Sequence, residues 1–229
     1  MNPKDIKHIF FDLDHTLWDF DRNSALAFAK IFKKHHISLQ LSDFMEAYQP
    51  INFQYWKWYR EGKVTKDQLR YGRFKKSFNA CAYNIDDHLI DKLSTDYITY
   101  LPEHNFLFDN TIEVLEYLQD TYKLHIITNG FEEVQHTKLI RSNIARFFDT
   151  VTTSEEAGVK KPDPIIFNKA MHKTNATPET SLMIGDTYEA DILGANQVGM
   201  HSICFNYHNH DLPDYQIVIN KLIELKQLL

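Results

Sequence analysis

The sequence predicts an α/β protein with a doubly wound parallel sheet, and three observations carry that prediction. Short apolar runs alternate with helical patterns from about residue 106 onward, which is the order expected of a parallel sheet with helices on both faces. Another apolar run stands near the N-terminus, far ahead of the rest. Between them, residues 18 to 102 show helical patterns and no clear strand. The predicted fold is therefore a Rossmann-like core with an inserted all-helical cap domain.

Four apolar runs are predicted to be strands of this sheet. Each is short and predominantly apolar, which is typical of strands buried on both faces. Three of the runs stop abruptly at a polar residue, and a short fifth strand is expected around Val151. The four runs are Ile6–Phe11, Leu124–Ile127, Leu182–Gly185 and Ser202–Phe205.

Helices are predicted where apolar residues recur every three or four positions. In the cap, Gly62 and the start signal Thr65–Gln68 separate two of them. We therefore assign a discontinuous core, residues 1–17 and 103–229, and a helical cap, residues 18–102. The predicted helices are Thr111–Gln119, Phe131–Ser142, Ile165–His172 and Ala190–Val198 in the core, and Ser24–Lys34, Ser42–Arg60, Lys66–Ala80 and Asp86–Leu101 in the cap.

Composition bounds the setting and the partners of the protein. The 229 residues carry a net charge of −6, which argues against a nucleic-acid polymer as a partner. No apolar run reaches the length that spans a bilayer, and the two cysteines, Cys81 and Cys204, lack metal-ligand spacing. We expect a cytoplasmic protein, a monomer or a weak homodimer, that acts on a small molecule and not at a membrane.

Polar side chains follow three of the predicted strands at the points where those strands end. They are Asp12, Thr128 and Asp186. Because the carboxyl ends of parallel strands lie on one edge of a sheet, these side chains are expected to converge. Lys161 lies directly before a proline in the loop between the second and third of them, and Asp191 follows Asp186 by five residues. The edge therefore collects carboxylates and one lysine.

These residue types suit the transfer of a phosphoryl group. A carboxylate such as Asp12 can attack phosphorus and form a mixed anhydride, which water then cleaves. Attack of one anion on another requires neutralisation, which Mg²⁺ held by Asp12 and Asp186 would supply together with Lys161. Thr128 would hold phosphoryl oxygens. Asp14, two residues after Asp12, would protonate the leaving oxygen and then activate water.

The whole chain resembles the haloacid dehalogenase-like superfamily of aspartate-nucleophile hydrolases. The resemblance rests on four motifs that occur in the expected order, each at a strand end or in an adjoining loop. They are Asp12–Thr16, Thr128–Gly130, Lys161–Pro162 and Gly185 through Asp191.

The resemblance implies a role for each matching residue. Lys161 is preferred over Lys160 because it directly precedes the proline, and whether Lys160 contributes beside it stays open. The implied site consists of catalytic Asp12 and Asp14; phosphate-binding Thr128, Asn129 and Lys161; metal-binding Asp12, Asp14 and Asp186 for Mg²⁺; and Asp191 in support.

Asp14 favours a phosphatase over a dehalogenase, since an alkoxide needs a proton to leave and a halide does not. Three stretches, Phe11–Phe20, Trp58–Lys66 and Leu69–Phe74, are similar to the pyrimidine 5′-nucleotidases of the superfamily. This similarity implies a pyrimidine nucleoside 5′-monophosphate as substrate. Trp18 and Phe20, which follow the nucleophile motif, are candidate substrate contacts because aromatic rings can stack on a base.

Other functions stay open at this point. A sugar-phosphate or phosphoglycolate-type phosphatase would use the same core residues with a different cap. A phosphomutase would use them while keeping water from the phosphorylated aspartate. A phospho-acceptor module without turnover is disfavoured by Asp14, because an acid/base beside the anhydride shortens its lifetime.

Overall fold

The computed structural model describes residues 2–209, 211–212 and 217–229. The chain forms two compact units, one of the residues up to Phe20 together with those from Asn105 onward, the other of Asp21–His104. The strands are β1 (His8–Phe11), β2 (Lys123–Thr128), β3 (Phe148–Thr153), β4 (Ser181–Gly185), β5 (His201–Phe205) and β6 (Ile217–Ile219). The α-helices are α1 (Phe20–Lys34), α2 (Leu41–Arg60), α3 (Lys66–Ala80), α4 (Asp87–Tyr100), α5 (Thr111–Gln119), α6 (Glu132–Arg141), α7 (Ser154–Ala157), α8 (Pro164–Thr174), α9 (Gly194–Gln197) and α10 (Leu225–Leu228).

The first unit is built on a parallel sheet whose described strands have the order β3-β2-β1-β4-β5-β6. This is the order of a doubly wound sheet, in which the chain winds outward in both directions from β1. Phe11 of β1 pairs with Ile184 of β4, and the N–H of Asp12 donates to the carbonyl of Ile184 at 2.9 Å. The residues that follow β1 and β4 therefore emerge side by side. The predicted fold class is confirmed.

The central strands are buried because their side chains are apolar on both faces. Every residue of β1 and of β4 is buried. On one face, Phe10, Ile127 and Met183 from three neighbouring strands pack with Ile166 and Phe167 of α8. This layer fixes the strand ends relative to one another, because a close-packed core resists small displacements.

Several elements of the first unit differ from the prediction, among them β6, the segment after β4 and the short helices α7 and α10. The strand β6 was not predicted, because three apolar residues are too few to give a periodic signal. The predicted helix Ala190–Val198 is instead a π-helical segment, Tyr188–Leu193, followed by the short α9. In the π-helical segment Asp191 accepts a hydrogen bond from the N–H of Thr187 at 3.0 Å through its side chain. Such local widening of a helix often accompanies a functional residue.

The second unit is helical, as predicted, and its core is aromatic. Phe28 of α1 lies 4.7 to 5.3 Å, between ring centroids, from Phe44, Tyr48, Phe74 and Tyr97 of the other three helices. Helix α3 begins at the predicted residue, where Thr65 and Gln68 form a capping box. Within the described ranges, no helix combines the length and the apolar character needed to cross a membrane.

Candidate active site

The loop after β1 turns sharply and so sets the directions of two carboxylates. His15 adopts the left-handed backbone conformation, with φ of 63°. Its N–H donates to the carbonyl of Trp18, and the N–H of Trp18 donates to that of Leu13. Buried Leu13 anchors the turn between Asp12 and Asp14. The chain therefore leaves β1 with Asp12 at the strand end and Asp14 already within the turn.

Lys161 is brought against the carboxylate of Asp12. Its Nζ lies 2.6 Å from Oδ1 of Asp12 and 2.7 Å from Oδ1 of Asp191, and donates to the carbonyl of Ile127 at 2.7 Å. Only 2% of the Lys161 side chain is exposed. A buried ammonium is stable only where anions and acceptors replace its water, and this one has three such partners. Lys161, rather than Lys160, is the lysine that the structure places beside the carboxylates of Asp12 and Asp191.

The pKa values of Asp12, Asp186 and Lys161 reflect opposing effects of burial and of neighbouring charges. Burial raises the pKa of Asp12 to about 7, with Lys161 opposing the rise and Asp191 adding to it. Burial, followed by the charges of Asp191 and Asp12, raises the pKa of Asp186 well above its ordinary value. Burial acts to lower the pKa of Lys161, but Asp12 and Asp191 outweigh it and the pKa lies above its ordinary value. An added positive charge would therefore stabilise the ionised form of these carboxylates.

The carboxylates of Asp12, Asp186 and Asp191 form an acidic group at the end of the strands. Oxygens of Asp12, Asp186 and Asp191 all lie within 4.8 Å of one another. Thr16 donates to one oxygen of Asp186 at 3.4 Å, and Thr187 donates to the other at 3.3 Å. The carboxylate of Asp191 lies where a side chain at position 185 would be, since a Cβ on Gly185 would meet Asp191 Oδ2 at 2.3 Å. Glycine at this position is therefore required by the approach of Asp191.

The acidic group fits a hard divalent cation. When ionised, three carboxylates face the single ammonium of Lys161, which leaves two negative charges for an added cation to neutralise. Carboxylate oxygens are the ligands that Mg²⁺ prefers, and Mg²⁺ keeps water in its remaining positions. Asp12, Asp186 and Asp191 are the residues that would hold it.

Thr128 and Asn129, both predicted to bind phosphate, have different hydrogen-bond partners. The hydroxyl of Thr128 accepts hydrogen bonds from the N–H of Gly130 at 3.0 Å and from Gln135 at 2.9 Å, so its own proton is left to donate. The side chain of Asn129 instead binds the backbone of Lys161, accepting from its N–H at 2.8 Å and donating to its carbonyl at 3.0 Å. The amide of Asn129 thus holds the backbone of Lys161 close to the end of β2, and its predicted contact with phosphate stays a prediction.

The side chain of Asp14 lies apart from the acidic group and has its own partners, and the assignment of Asp14 as a metal ligand stays a prediction. Its Oδ1 accepts from Nζ of Lys138 at 2.6 Å, and its Oδ2 accepts from Nε2 of Gln135 at 2.9 Å. Both donors lie on α6. The two carboxylates of the first motif therefore diverge, with Asp12 directed to Lys161 and Asp14 to α6. Asp191, predicted as a supporting residue, lies in the acidic group with Asp12 and Asp186.

Trp18 and Phe20 are not placed as surfaces for a ligand, which corrects their assignment as substrate contacts. The side chain of Trp18 has no exposed area, and that of Phe20 is 6% exposed. Nζ of Lys138 lies 4.3 Å from the centroid of the Trp18 ring and 5.5 Å from that of Phe20. The two rings pack against a buried cation.

Gln135 and Lys138 were missed at the sequence level, although a signal for them exists. The buried residues of α6 include Val134 and Leu139, and Gln135 and Lys138 share that face with them. Polar side chains on the apolar face of a helix are costly unless they are paired. Their positions three residues apart, one turn of helix, predict that both reach the same partner.

Comparisons with known proteins find similar sequences and a similar structure over most of the chain. A model of the haloacid dehalogenase-like hydrolase family matches residues 6–199. The pyrimidine 5′-nucleotidase YjjG of Escherichia coli (strain K12) is 34% identical over 226 residues, which is 96% of each chain. A glyceraldehyde 3-phosphate phosphatase of Methanothermobacter thermautotrophicus is 31% identical and covers 88% of this chain and 86% of its own. The crystal structure of the HAD-hydrolase YfnB from Bacillus subtilis, bound to magnesium, has a TM-score of 0.88 at 31% identity over 98% of each chain.

Proposed function

The chain belongs to the haloacid dehalogenase-like hydrolase family, and from this membership and the geometry of its acidic group we propose that it is a Mg²⁺-dependent phosphomonoesterase. The prediction of a hydrolase of this family is confirmed. One observation carries the proposal beyond that class. Asp12 directly follows a buried central strand, and its carboxylate accepts a hydrogen bond from the buried Lys161. Asp14, two residues further along the chain, instead accepts from Lys138. Two neighbouring carboxylates with different environments suit two different chemical tasks.

The proposed reaction has two half-reactions. In the first, an oxygen of Asp12 bonds to phosphorus while the bond between phosphorus and the leaving oxygen breaks, and Asp14 gives that oxygen its proton. In the second, Asp14 takes a proton from water as the water oxygen bonds to phosphorus. The bond between phosphorus and Asp12 then breaks and inorganic phosphate leaves. Asp12 is restored as a carboxylate, and Asp14 again carries the proton that it gave up in the first half-reaction.

Charge neutralisation is the task of the groups around Asp12. Lys161 lowers the negative charge that an incoming phosphate meets, and the hydroxyl proton of Thr128 is left to donate to a phosphoryl oxygen. Mg²⁺ would supply Lewis-acid stabilisation of the phosphoryl oxygens. Asp12, Asp186 and Asp191 would hold it. The magnesium bound to the similar YfnB structure supports this assignment.

The substrate proposed is a pyrimidine nucleoside 5′-monophosphate. It rests on the similarity to a pyrimidine 5′-nucleotidase over 96% of both chains. A second candidate is a small sugar or triose phosphate, favoured by the similarity to a glyceraldehyde 3-phosphate phosphatase. Phosphoglycolate and a phosphomutase reaction remain further alternatives, because the core residues would serve all of these reactions. The cytoplasmic location and the monomeric or weakly dimeric state stay predictions.

Phosphate release from a panel of monoesters tests the proposal. The panel contains pyrimidine and purine nucleoside monophosphates, glyceraldehyde 3-phosphate, phosphoglycolate and hexose phosphates, each with Mg²⁺ and with a chelator. We expect release that requires Mg²⁺ and is fastest with a pyrimidine nucleotide. Preference for a triose or hexose phosphate would favour the second candidate, and isomerisation without free phosphate would indicate a mutase.

The Asp12→Asn variant tests the covalent route. Loss of the nucleophile is expected to lower kcat by at least about a thousandfold, since the remaining groups bind phosphate without attacking it. The parent enzyme, quenched in acid during turnover, should carry phosphate on Asp12, and the variant should carry none. Normal turnover by Asp12→Asn would overturn the proposed mechanism.

A further inference from the structure

Helix α6 presents two polar side chains on the face that it buries. Gln135 has no exposed area, and Lys138 is 2% exposed. Burying an amide and an ammonium is unfavourable unless each finds specific partners. The partners that they find belong to the candidate active site.

The two side chains hold the carboxylate of Asp14 from one side. Nζ of Lys138 donates to Oδ1 at 2.6 Å, and Nε2 of Gln135 donates to Oδ2 at 2.9 Å. Each oxygen thus has its own donor, so rotation of the carboxylate about its terminal bond would break both hydrogen bonds. Two donors one helical turn apart form a rigid bracket for a planar group.

Gln135 also ties Asp14 to the second motif. The same Nε2 donates to the hydroxyl oxygen of Thr128 at 2.9 Å. A Cβ on Gly130 would lie 1.5 Å from this nitrogen, so only glycine leaves room for the amide. The absence of a side chain at Gly130 therefore allows the Gln135 amide to lie between Asp14 and Thr128 and to donate to both.

The ammonium of Lys138 is fixed from its other side by an aromatic ring. It lies 4.3 Å from the centroid of the fully buried Trp18 ring. A cation over a buried ring is attracted to the negative face of that ring. Trp18 thus packs against Lys138, which in turn donates a hydrogen bond to Asp14.

We propose that Lys138 and Gln135 are positioning residues, which hold the carboxylate of Asp14 in the orientation that transfers the proton to the leaving oxygen. This inference rests on the proposed phosphomonoesterase function and on the acid/base role of Asp14. Neither residue contacts the phosphorus or the metal ligands in the proposal; Lys138 acts through Asp14, and Gln135 acts through Asp14 while also donating to Thr128. A proton transfer depends steeply on orientation, so a loosened carboxylate loses much of its effect.

Substrates with different leaving groups distinguish a positioning role for Lys138 and Gln135 from a purely structural role. An alkoxide requires a proton as it departs, whereas p-nitrophenolate is stable enough to leave without one. A misoriented Asp14 should therefore slow phosphorylation of Asp12 by a nucleotide and spare phosphorylation by p-nitrophenyl phosphate. The attack of water needs Asp14 with either substrate, so the phosphorylated enzyme should accumulate.

The experiment compares Lys138→Met, Lys138→Arg and Gln135→Leu with the parent, each loaded with Mg²⁺. Single-turnover rates are measured with uridine 5′-monophosphate and with p-nitrophenyl phosphate. For Lys138→Met we expect about a hundredfold loss in the single-turnover rate with the nucleotide, a loss below about fivefold with the aryl ester, and an unchanged half-saturation concentration in the single-turnover measurement. A burst of p-nitrophenolate close to one equivalent should appear, and Lys138→Arg should recover part of the nucleotide rate. Lys226→Met, which removes an exposed ion pair with Glu113, is the matched control and should match the parent.

Equal losses with both leaving groups, or a parental nucleotide rate in Lys138→Met, would overturn the inference. If Lys138→Met does not fold, Gln135→Leu carries the same comparison. If the parent hydrolyses no monoester, the proposed function fails on that result alone. The positioning is then decided by crystal structures of Lys138→Met and Gln135→Leu, in which an Asp14 carboxylate in its parental orientation would contradict it.

Discussion

The ammonium of Lys161 holds the carboxylate of Asp12 inside the protein. Its Nζ donates to Oδ1 of Asp12 at 2.6 Å and to the carbonyl of Ile127 at 2.7 Å, and lies 2.7 Å from Oδ1 of Asp191. Its backbone is in turn bound on both sides by the side chain of Asn129. The positive charge beside Asp12 is therefore fixed before any substrate or metal arrives, which is the preorganisation that favours electrostatic catalysis.

Removing this charge should destabilise the metal-free protein. In Lys161→Met, Asp12 and Asp191 stay buried near each other without the ammonium, so we expect the free energy of unfolding to fall by about 3–5 kcal/mol. Urea denaturation in the presence of a chelator measures it. Lys226→Met breaks an exposed pair and should cost no more than about 1 kcal/mol. A cost for Lys161→Met as small as that of the control would show that the buried pair does not stabilise the fold.

Binding of Mg²⁺ should be visible without any substrate. An ion that binds only the folded state raises its stability by about 2.7 kcal/mol at a hundred times its dissociation constant. We therefore expect Mg²⁺ to raise the unfolding temperature of the parent. Asp186→Asn removes one of the three carboxylates and should lose most of that shift. The metal-free variant should be no less stable than the parent, since it lacks one of three repelling charges.

The control for Mg²⁺ binding is Asp120→Asn, which neutralises an exposed carboxylate at the end of α5. It should keep the parental shift. An equal shift in Asp186→Asn and in the parent would contradict the assignment of the acidic group as the metal site. Thermal unfolding followed by circular dichroism, at several Mg²⁺ concentrations, separates these outcomes.

The ends of three strands could be predicted from the sequence because they follow from patterns in the chain. Apolar runs that stop at Asp12, Thr128 and Asp186 predict three side chains on one edge, since parallel strands end together. The structure has these strands as neighbours, in the order β2-β1-β4. The prediction thus required only the periodicity of the runs and the rule for parallel sheets.

Side-chain directions could not be predicted in the same way. Asp14 and Asn129 both lie in the expected loops, yet Asp14 turns to α6 and Asn129 turns to the backbone of Lys161. Such choices depend on which buried donors compete for each carboxylate or amide, and those donors come from distant segments. Lys138 lies 124 residues from Asp14 along the chain. Only the packing of α6 against the sheet decides that contact.

A buried histidine pair predicts a loss of stability in mild acid. His8 Nδ1 lies 3.0 Å from Nε2 of His125, whose other nitrogen lies 3.1 Å from the hydroxyl of Thr150. Burial, followed by the charges of His8 and Lys123, lowers the pKa of His125 from 6.5 to about 3. The unfolded chain therefore binds a proton between these two pH values that the folded protein does not bind. Stability contributed by neutral His125 is present above pH 6.5 and falls as the pH drops toward 3.

The size of this effect follows from the two pKa values. Between pH 7.5 and pH 5, His125 should account for a loss of about 2 kcal/mol in the free energy of unfolding. His125→Phe, which keeps a ring against Phe10, should lack that part of the loss even if its stability at pH 7.5 is lower. Urea denaturation at both pH values measures the difference. His88→Gln, at an exposed position of α4, should keep the parental difference. Because the buried carboxylates shift stability in the opposite direction, only the comparison between variant and parent isolates His125, and an identical pH dependence would exclude it as the source.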